Sequence, residues 1–178
     1  MEIIKSTRHQ KIISDFGEIL ICNWLSRSGF EVTIVDHTGI DIVAYHPPTQ
    51  KRLGITVKSR TRNMGKEATS VTVFSNREGD NDYQKVVDAC NAFACEPWLG
   101  IYVEAADYAD VYLTSVDNYR KNYRMREGTA TESWKMRPAY QKRYEEEMSN
   151  SMRRLKSRLR SSRSPTYVGF CARCSRCF

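Results

Sequence analysis

The chain has no apolar run approaching the ~20 residues that a bilayer-spanning helix needs, although 40% of its 178 residues are hydrophobic. Its opening stretch, MEIIKSTRHQKII, has neither the apolar segment nor the small-residue cleavage site of a signal peptide. A soluble, cytoplasmic protein is expected, with no membrane partner. Glycine-rich phosphate loops are missing, which argues against the P-loop and dinucleotide classes. The three histidines, His9, His37 and His46, have no metal-ligand spacing, and no local signature of Ser/His/Asp catalysis is present. No internal repeat is visible. At this length one domain with a real core is expected, together with an appendage.

Acidic residues are absent after Glu147, and this absence sets the charge distribution. Eight of the 28 basic residues lie beyond that point, leaving 20 basic against 21 acidic residues in positions 1–147. The net charge of +7 therefore comes from the C-terminal segment. Such a segment attracts phosphate backbones without reading sequence, in a salt-dependent way, or it is a solvated extension.

What is present is a sequence of short patterned elements. In STRHQKIISDFGEILICNWLSRSGF, Ile13, Phe16, Leu20 and Trp24 recur at helical spacing, Thr7 and Gln10 stand at capping-box spacing, and Gly29 is a stop signal. FEVTIVD, GIDIVAY, RLGITVKS and ATSVTVFS follow, each β-branched or aromatic and bounded by turn residues. A second helix is expected around Tyr83, Val86, Val87, Cys90 and Ala94, with Asn81 and Gln84 as its cap. WLGIYVEA and DVYLTSV read as further strands. Interleaved strands and helices favour an α/β fold, a mixed central sheet flanked by helices. Residues 119–137 are expected as a polar loop. Tyr140, Tyr144, Met148, Met152, Leu155 and Leu159 predict an amphipathic basic helix over 138–160.

Chemistry is expected at GIDIVAYHPPTQKRLGITVKSR, residues 39–60. Side chains alternate along a strand, so Thr56 and Lys58 share one face and Asp41 opposes Ile40 and Ile42. If the two strands are neighbours, a carboxylate and an ammonium converge. A carboxylate there holds Mg²⁺, which takes oxygen ligands and keeps several waters. A lysine there orients or deprotonates water, or neutralises charge developing on a phosphate.

The leading helix with Glu18, GIDIVAY with Asp41, and ITVK ending in Lys58 together resemble the PD-(D/E)XK nuclease superfamily, which includes restriction endonucleases and archaeal Holliday-junction resolvases. The resemblance covers roughly residues 10–105 and implies a restriction-endonuclease-like αβββαβ core within residues 1–118. It implies a metal-dependent endonuclease hydrolysing DNA, with Lys58, Asp41 and Glu18 catalytic. Asp41, Glu18 and Thr56 would hold Mg²⁺ or Mn²⁺, and a homodimer stays open. The departure is Thr56, which stands where the family usually has Glu or Asp. Three explanations remain open: a hydroxyl or backbone carbonyl suffices, a carboxylate such as Asp36, Glu67 or Glu78 moves in, or cleavage is lost and a nucleic-acid-binding or scaffold role remains. Each site residue also has a plainer meaning. Glu18 can be a boundary residue paired with an arginine, Asp41 a turn acid after Gly39, and Lys58 a solvated strand-end lysine. Arg60, Arg62, Arg153, Arg154, Lys156 and Arg160 are the expected contacts to nucleic acid.

Of the six cysteines, Cys22, Cys90 and Cys95 fall on helical patterns and are expected as buried small residues. Cys171, Cys174 and Cys177 lie in the basic tail, residues 161–178. Their spacing suits zinc or an iron–sulfur cluster but supplies three ligands, one short of a closed site. Some RecB-like and CRISPR-associated members of the superfamily complete such a set with one upstream cysteine, a place Cys22 could take; otherwise these are unstructured thiols. In DNYRKNYRMREG, Tyr119 and Tyr123 alternate with Arg120, Lys121, Arg124 and Arg126, either to stack on bases and contact phosphate or to pack beneath a surface loop.

Overall fold

A computed structural model describes residues 4–105, 108–124, 130–146 and 153–158. Helix α1 (His9–Ser26) leads into strands β1 (Glu31–His37), β2 (Ile40–His46) and β3 (Lys51–Thr61). Strands β4 (Val71–Arg77) and β5 (Asp80–Asn81) precede α2 (Asp82–Ala92). Next come β6 (Glu96–Glu104), β7 (Tyr108–Ser115), α3 (Val116–Asn122), β8 (Thr131–Trp134), α4 (Pro138–Glu146) and β9 (Arg153–Arg158). The main sheet has the order β1-β2-β3-β6-β7-β9, and β5-β4-β8 forms a smaller second sheet. β3 and β6 run parallel, and the other pairings in the main sheet are antiparallel. The fold is thus α/β, with a mixed sheet flanked by helices and the expected αβββαβ order within it.

α1 packs on one face of the sheet, burying Ile13, Gly17, Ile21 and Leu25 against Ile42, Ala44, Leu53 and Ile55. This is not the stripe that Phe16, Leu20 and Trp24 suggest; Phe16 is 47% exposed. The glycine decides the rotation. A Cβ at Gly17 would come within 2.2 Å of Ser59 Oγ and 3.2 Å of Tyr102 Cβ, so only glycine lets the helix backbone approach β3 this closely. The expected capping box is not formed either, since the N-cap is Arg8 with no side-chain hydrogen bond. Tertiary contacts anchor that end: Lys5 Nζ donates to the Thr61 carbonyl at 2.8 Å, and His9 Nε2 meets Thr61 Oγ1 at 2.7 Å.

On the opposite face α2 packs as expected, with Asn81 Oδ1 accepting from the Gln84 N–H at 3.0 Å. Its Val86, Ala89 and Cys90 join Leu99, Ile101 and Val103 of β6. The same core continues into Tyr112, Tyr119, Tyr123, Trp134 and Tyr144, so residues on both sides of position 118 pack together. Trp134 stacks on Tyr144 at 4.3 Å between ring centroids. Tyr119 and Tyr123 are therefore core residues and not stacking platforms for bases.

The segment expected as a polar loop holds most of α3 and all of β8, which bury Val116, Tyr119, Glu132 and Trp134. Of the helix expected over 138–160, Pro138–Glu146 is helical as α4, and Arg153–Arg158 instead form β9 along β7. The backbone groups on the outer edge of β7 need partners, and a strand supplies them where a helix would not. Among the described residues, no helix is long and apolar enough to cross a membrane.

Candidate active site

β2 and β3 pair from Ile42 opposite Ile55 to His46 opposite Lys51. One step before that ladder begins, Asp41 offers its side chain where a strand would offer a carbonyl. Its Oδ2 accepts the Val57 N–H at 2.6 Å and lies 3.4 Å from the donating hydroxyl of Thr56. Both donors fall on Oδ2, and among the described residues no hydrogen bond reaches Oδ1. Asp41 is therefore more than a turn acid. It holds the end of the hairpin together and keeps one carboxylate oxygen uncommitted.

Thr56 is 3% exposed. Its hydroxyl points at Asp41, so it fixes the carboxylate's orientation and adds no charge. Lys58 lies two residues further along the same face of β3, half-buried, with no hydrogen bond or ion pair among the described residues. The alternation that brings Leu53, Ile55 and Val57 against α1 sends Thr56 and Lys58 to the other side.

Glu18 approaches from α1, next to Gly17. Burial and then the neighbouring Asp41 carboxylate push its pKa up from 4.5 to about 6, with Asp15 adding to the effect and Lys11 opposing it. Two acids close enough to raise a pKa in this way, with no cation paired to Glu18 among the described residues, make an electrostatically unfavourable pair. The arginine partner that would make Glu18 an ordinary boundary residue is not found there. Cys22, one turn further on, has its thiol pKa pushed up first by burial and then by Glu18.

The structure brings together Asp41, Thr56 and, through electrostatics, Glu18. Lys58 is adjacent on the strand but is not among the charges acting on Glu18. Among the described residues no group of three His, Cys, Asp or Glu side chains is arranged to hold a metal. Glu67 accepts the Gly65 N–H at 2.7 Å within its own turn, and Glu78 is exposed between β4 and β5. Neither joins the pair, and the side chain of Asp36 lies outside the described residues. Two carboxylates still fit a Mg²⁺ ion, which commonly takes one or two protein carboxylates and fills its remaining positions with water and phosphate oxygens.

Of the expected nucleic-acid contacts, Arg60 donates to the Ser59 carbonyl at 2.7 Å, and Arg62 holds the Thr69 and Ser70 carbonyls at 3.3 and 2.9 Å. Arg62 thus braces the β3–β4 connection. Arg153, Arg154 and Lys156 lie on β9. Arg160, Cys171, Cys174 and Cys177 lie outside the described residues. Cys22, Cys90 and Cys95 are free thiols.

A polar chain that the sequence did not reveal closes the same end of the sheet. His9 bonds Thr61, Thr61 Oγ1 donates to Glu104 Oε1 at 2.9 Å, and Tyr102 OH donates to Glu104 Oε2 at 2.7 Å. Burial, followed by Glu104, pushes the Tyr102 phenol well above its ordinary pKa. Finding this chain requires the parallel register that sets Thr61 beside Glu104, and short-range spacing carries no trace of that register.

No protein-family model matches the chain. No curated protein matches it either. Among solved structures, it is similar to Hjc, a Holliday junction resolvase from the archaeal hyperthermophile Archaeoglobus fulgidus, at 16% sequence identity and a TM-score of 0.48. That match covers 68% of this chain and 83% of the resolvase chain.

Proposed function

We propose that the protein is a metal-dependent phosphodiesterase that hydrolyses DNA at the open end of the β2–β3 hairpin. The observation that carries this reading is Asp41, whose Oδ2 is held by the Val57 N–H and the Thr56 hydroxyl while no hydrogen bond among the described residues reaches Oδ1; Glu18, whose pKa is raised by burial and then by the Asp41 charge, is the second acid within its field. Asp41 and Glu18 are the residues that would hold Mg²⁺ or Mn²⁺. When bound, the ion supplies Lewis-acid polarisation of the phosphate and a more acidic water. Thr56 and the Val57 N–H orient the Asp41 carboxylate. Lys58, with no competing ion pair among the described residues, neutralises charge on the scissile phosphate or orients the attacking water. The basic residues of β9 and beyond contribute non-specific attraction to the nucleic-acid backbone. The motif resemblance and the αβββαβ order support the same reading.

Purified protein incubated with plasmid, single-stranded and branched DNA, with Mg²⁺ or Mn²⁺ and with chelator, tests this. Cleavage that needs the metal and is lost in Asp41→Asn and Lys58→Ala is expected. Absence of cleavage by the wild type, or equal cleavage by both variants, removes the enzyme reading.

A second reading, a non-catalytic nucleic-acid-binding or scaffold protein of the same fold, is favoured by one observation: no third acid joins the pair among the described residues. Thr56→Glu separates the two. Cleavage gained in a silent protein marks a site that has lost a ligand, and an inert revertant marks a scaffold.

A further inference from the structure

Cys90 and Cys95, which take no part in the carboxylate site, sit together at the corner between α2 and β6. The helix ends there in a Schellman motif. The Cys95 N–H donates to the Cys90 carbonyl at 2.8 Å and the Ala94 N–H to the Asn91 carbonyl at 3.3 Å, around Ala94 in the left-handed region at φ 51°. The motif sets Cys90, three residues before the cap Phe93, beside Cys95, two residues after it, a place where apolar side chains commonly touch. Glycine is the usual residue at the left-handed position, so the reversal is held by its surroundings rather than by local preference. Glu96 and Pro97, the next residues, are already paired with Leu53 and Gly54 of β3.

Gly54 closes the corner from below. A Cβ there would come within 2.6 Å of Cys90 Sγ and 3.2 Å of Cys95 Cβ, so the two cysteines fill the space over one glycine. Cys90 Sγ donates to the Gly54 carbonyl at 3.6 Å, and Cys95 Sγ to the Phe93 carbonyl at 3.3 Å. Thiols are weak donors, and neither bond fixes its sulfur strongly. The pair also interacts electrostatically, since the Cys90 thiol is pushed up to about 12 by burial and then by Cys95.

The two thiols differ in access. Cys90 is 1% exposed, whereas Cys95 is half-buried, and the Arg52 charge acts against the burial that raises its thiol. Cys95 is therefore the sulfur an oxidant reaches first, and Cys90 the one that resolves the adduct. A metal suits the pair less well. Burial of both thiols opposes the deprotonation that ligation needs, and among the described residues no third His, Cys, Asp or Glu joins them.

We propose that Cys90 and Cys95 are a modification site, which a low-molecular-weight disulfide such as oxidised glutathione converts to an intramolecular disulfide tying the end of α2 to the start of β6. The Cys95 thiolate attacks one sulfur of the oxidant. A mixed disulfide forms, and one glutathione thiolate leaves and takes up the proton that Cys95 released. Cys90 then loses its proton as its sulfur attacks Cys95 Sγ, the Cys90–Cys95 bond forms, and the second glutathione departs as a thiol. Two protein thiols give up two electrons, and one disulfide is reduced to two thiols. The bond does not depend on the protein being a nuclease.

Tryptic digestion makes the test direct, because the peptide from Val86 to Arg120 contains both thiols and no other cysteine. The folded full chain is equilibrated in a glutathione redox buffer, blocked with an alkylating agent, digested and weighed. The peptide is expected two hydrogens lighter and unalkylated, and an excess of thiol reductant should restore both alkylation sites. The ratio of bridged to open peptide should be at least about tenfold higher in the folded chain than in the chain unfolded in urea, since the folded corner supplies the proximity. Cys90→Ser should leave Cys95 carrying a stable glutathione adduct, and Cys95→Ser should leave Cys90 unmodified. Both thiols still alkylated after oxidation of the folded chain, a stable glutathione adduct on Cys95 of the wild type, a bond from either residue to another cysteine, or equal bridging in the folded and unfolded chains overturns the proposal.

Discussion

Glu18 and Glu132 are both acids removed from full solvent, and their surroundings differ in kind. Glu132 is met by two guanidiniums and an amide, all aimed at one oxygen. Glu18 is partly desolvated and then faces another carboxylate, and its pKa rises to about 6. A buried charge with compensation holds structure in place. A half-buried acid that is desolvated and then faces a like charge raises the energy of the fold when ionised unless a cation arrives. The contrast separates an acid whose charge is compensated within the fold from one that a bound cation would relieve.

The largest effect that can break this comparison is at Glu132. Glu132→Ala leaves two guanidiniums without their shared partner and should cost about 3–5 kcal/mol of unfolding free energy in urea titrations. A loss below about 1 kcal/mol would place Glu132 with the exposed ion pairs. At the other site the effect should appear in chemistry rather than stability. Asp41→Asn keeps an acceptor for the Val57 N–H, so melting should change little while metal-dependent cleavage falls by about a hundredfold or more.

Gly17→Ala comes next. The added methyl meets Ser59 and Tyr102 and pushes α1 away from β3, costing about 1–3 kcal/mol. It also carries Glu18 away from Asp41, and Ser59→Ala in the same chain should recover part of both losses. A Gly17→Ala protein of unchanged stability would mean that α1 does not sit as closely as the comparison requires.

The smallest effect is at Glu18 itself. Between pH 4.5 and about 6 the folded chain holds this proton more firmly than the unfolded chain does, so stability falls as pH rises through that window. Glu18→Gln should therefore stabilise the metal-free protein at pH 7.5, by about 1 kcal/mol or less once solvent screening is allowed for, and have no effect near pH 4. Divalent-cation affinity should rise with pH through about 6, since the carboxyl must first lose its proton. Thermal melts with and without Mg²⁺ across that range measure both.

The legible parts of the fold were those set by local pattern. The strands from Glu31 to Ser115 that build the main sheet, the Asn81 cap and the glycine stop after α1 can all be read from neighbouring residues. The rotation of α1 could not, because apolar periodicity ranks Phe16 above Gly17 and is blind to a close approach. α3 and β8 were hidden because tyrosine and tryptophan buried among charged residues read as a polar loop. Met148, Met152, Leu155 and Leu159 fall at helical spacing and so predict a helix where β9 forms, whereas the open edge of β7 that β9 pairs with belongs to the assembled sheet. At the site, Asp41 and Thr56 were legible as hairpin neighbours, and Glu18 only through the motif resemblance. Arg120 and Arg124 stand out in the sequence as surface cations, whereas their meeting with the buried Glu132 depends on packing between α3 and β8 that spacing does not show.

The last strand also bears on how the protein behaves in a crowd. β9 takes the outer hydrogen-bonding positions of β7, and four of its six residues are lysine or arginine. Two copies meeting at this border would bring like charges side by side, which discourages continuous stacking of sheet upon sheet between molecules. A chain ending before Arg153 would instead leave the apolar Val111 and Leu113 strand as its open border, and its soluble yield should fall as concentration rises.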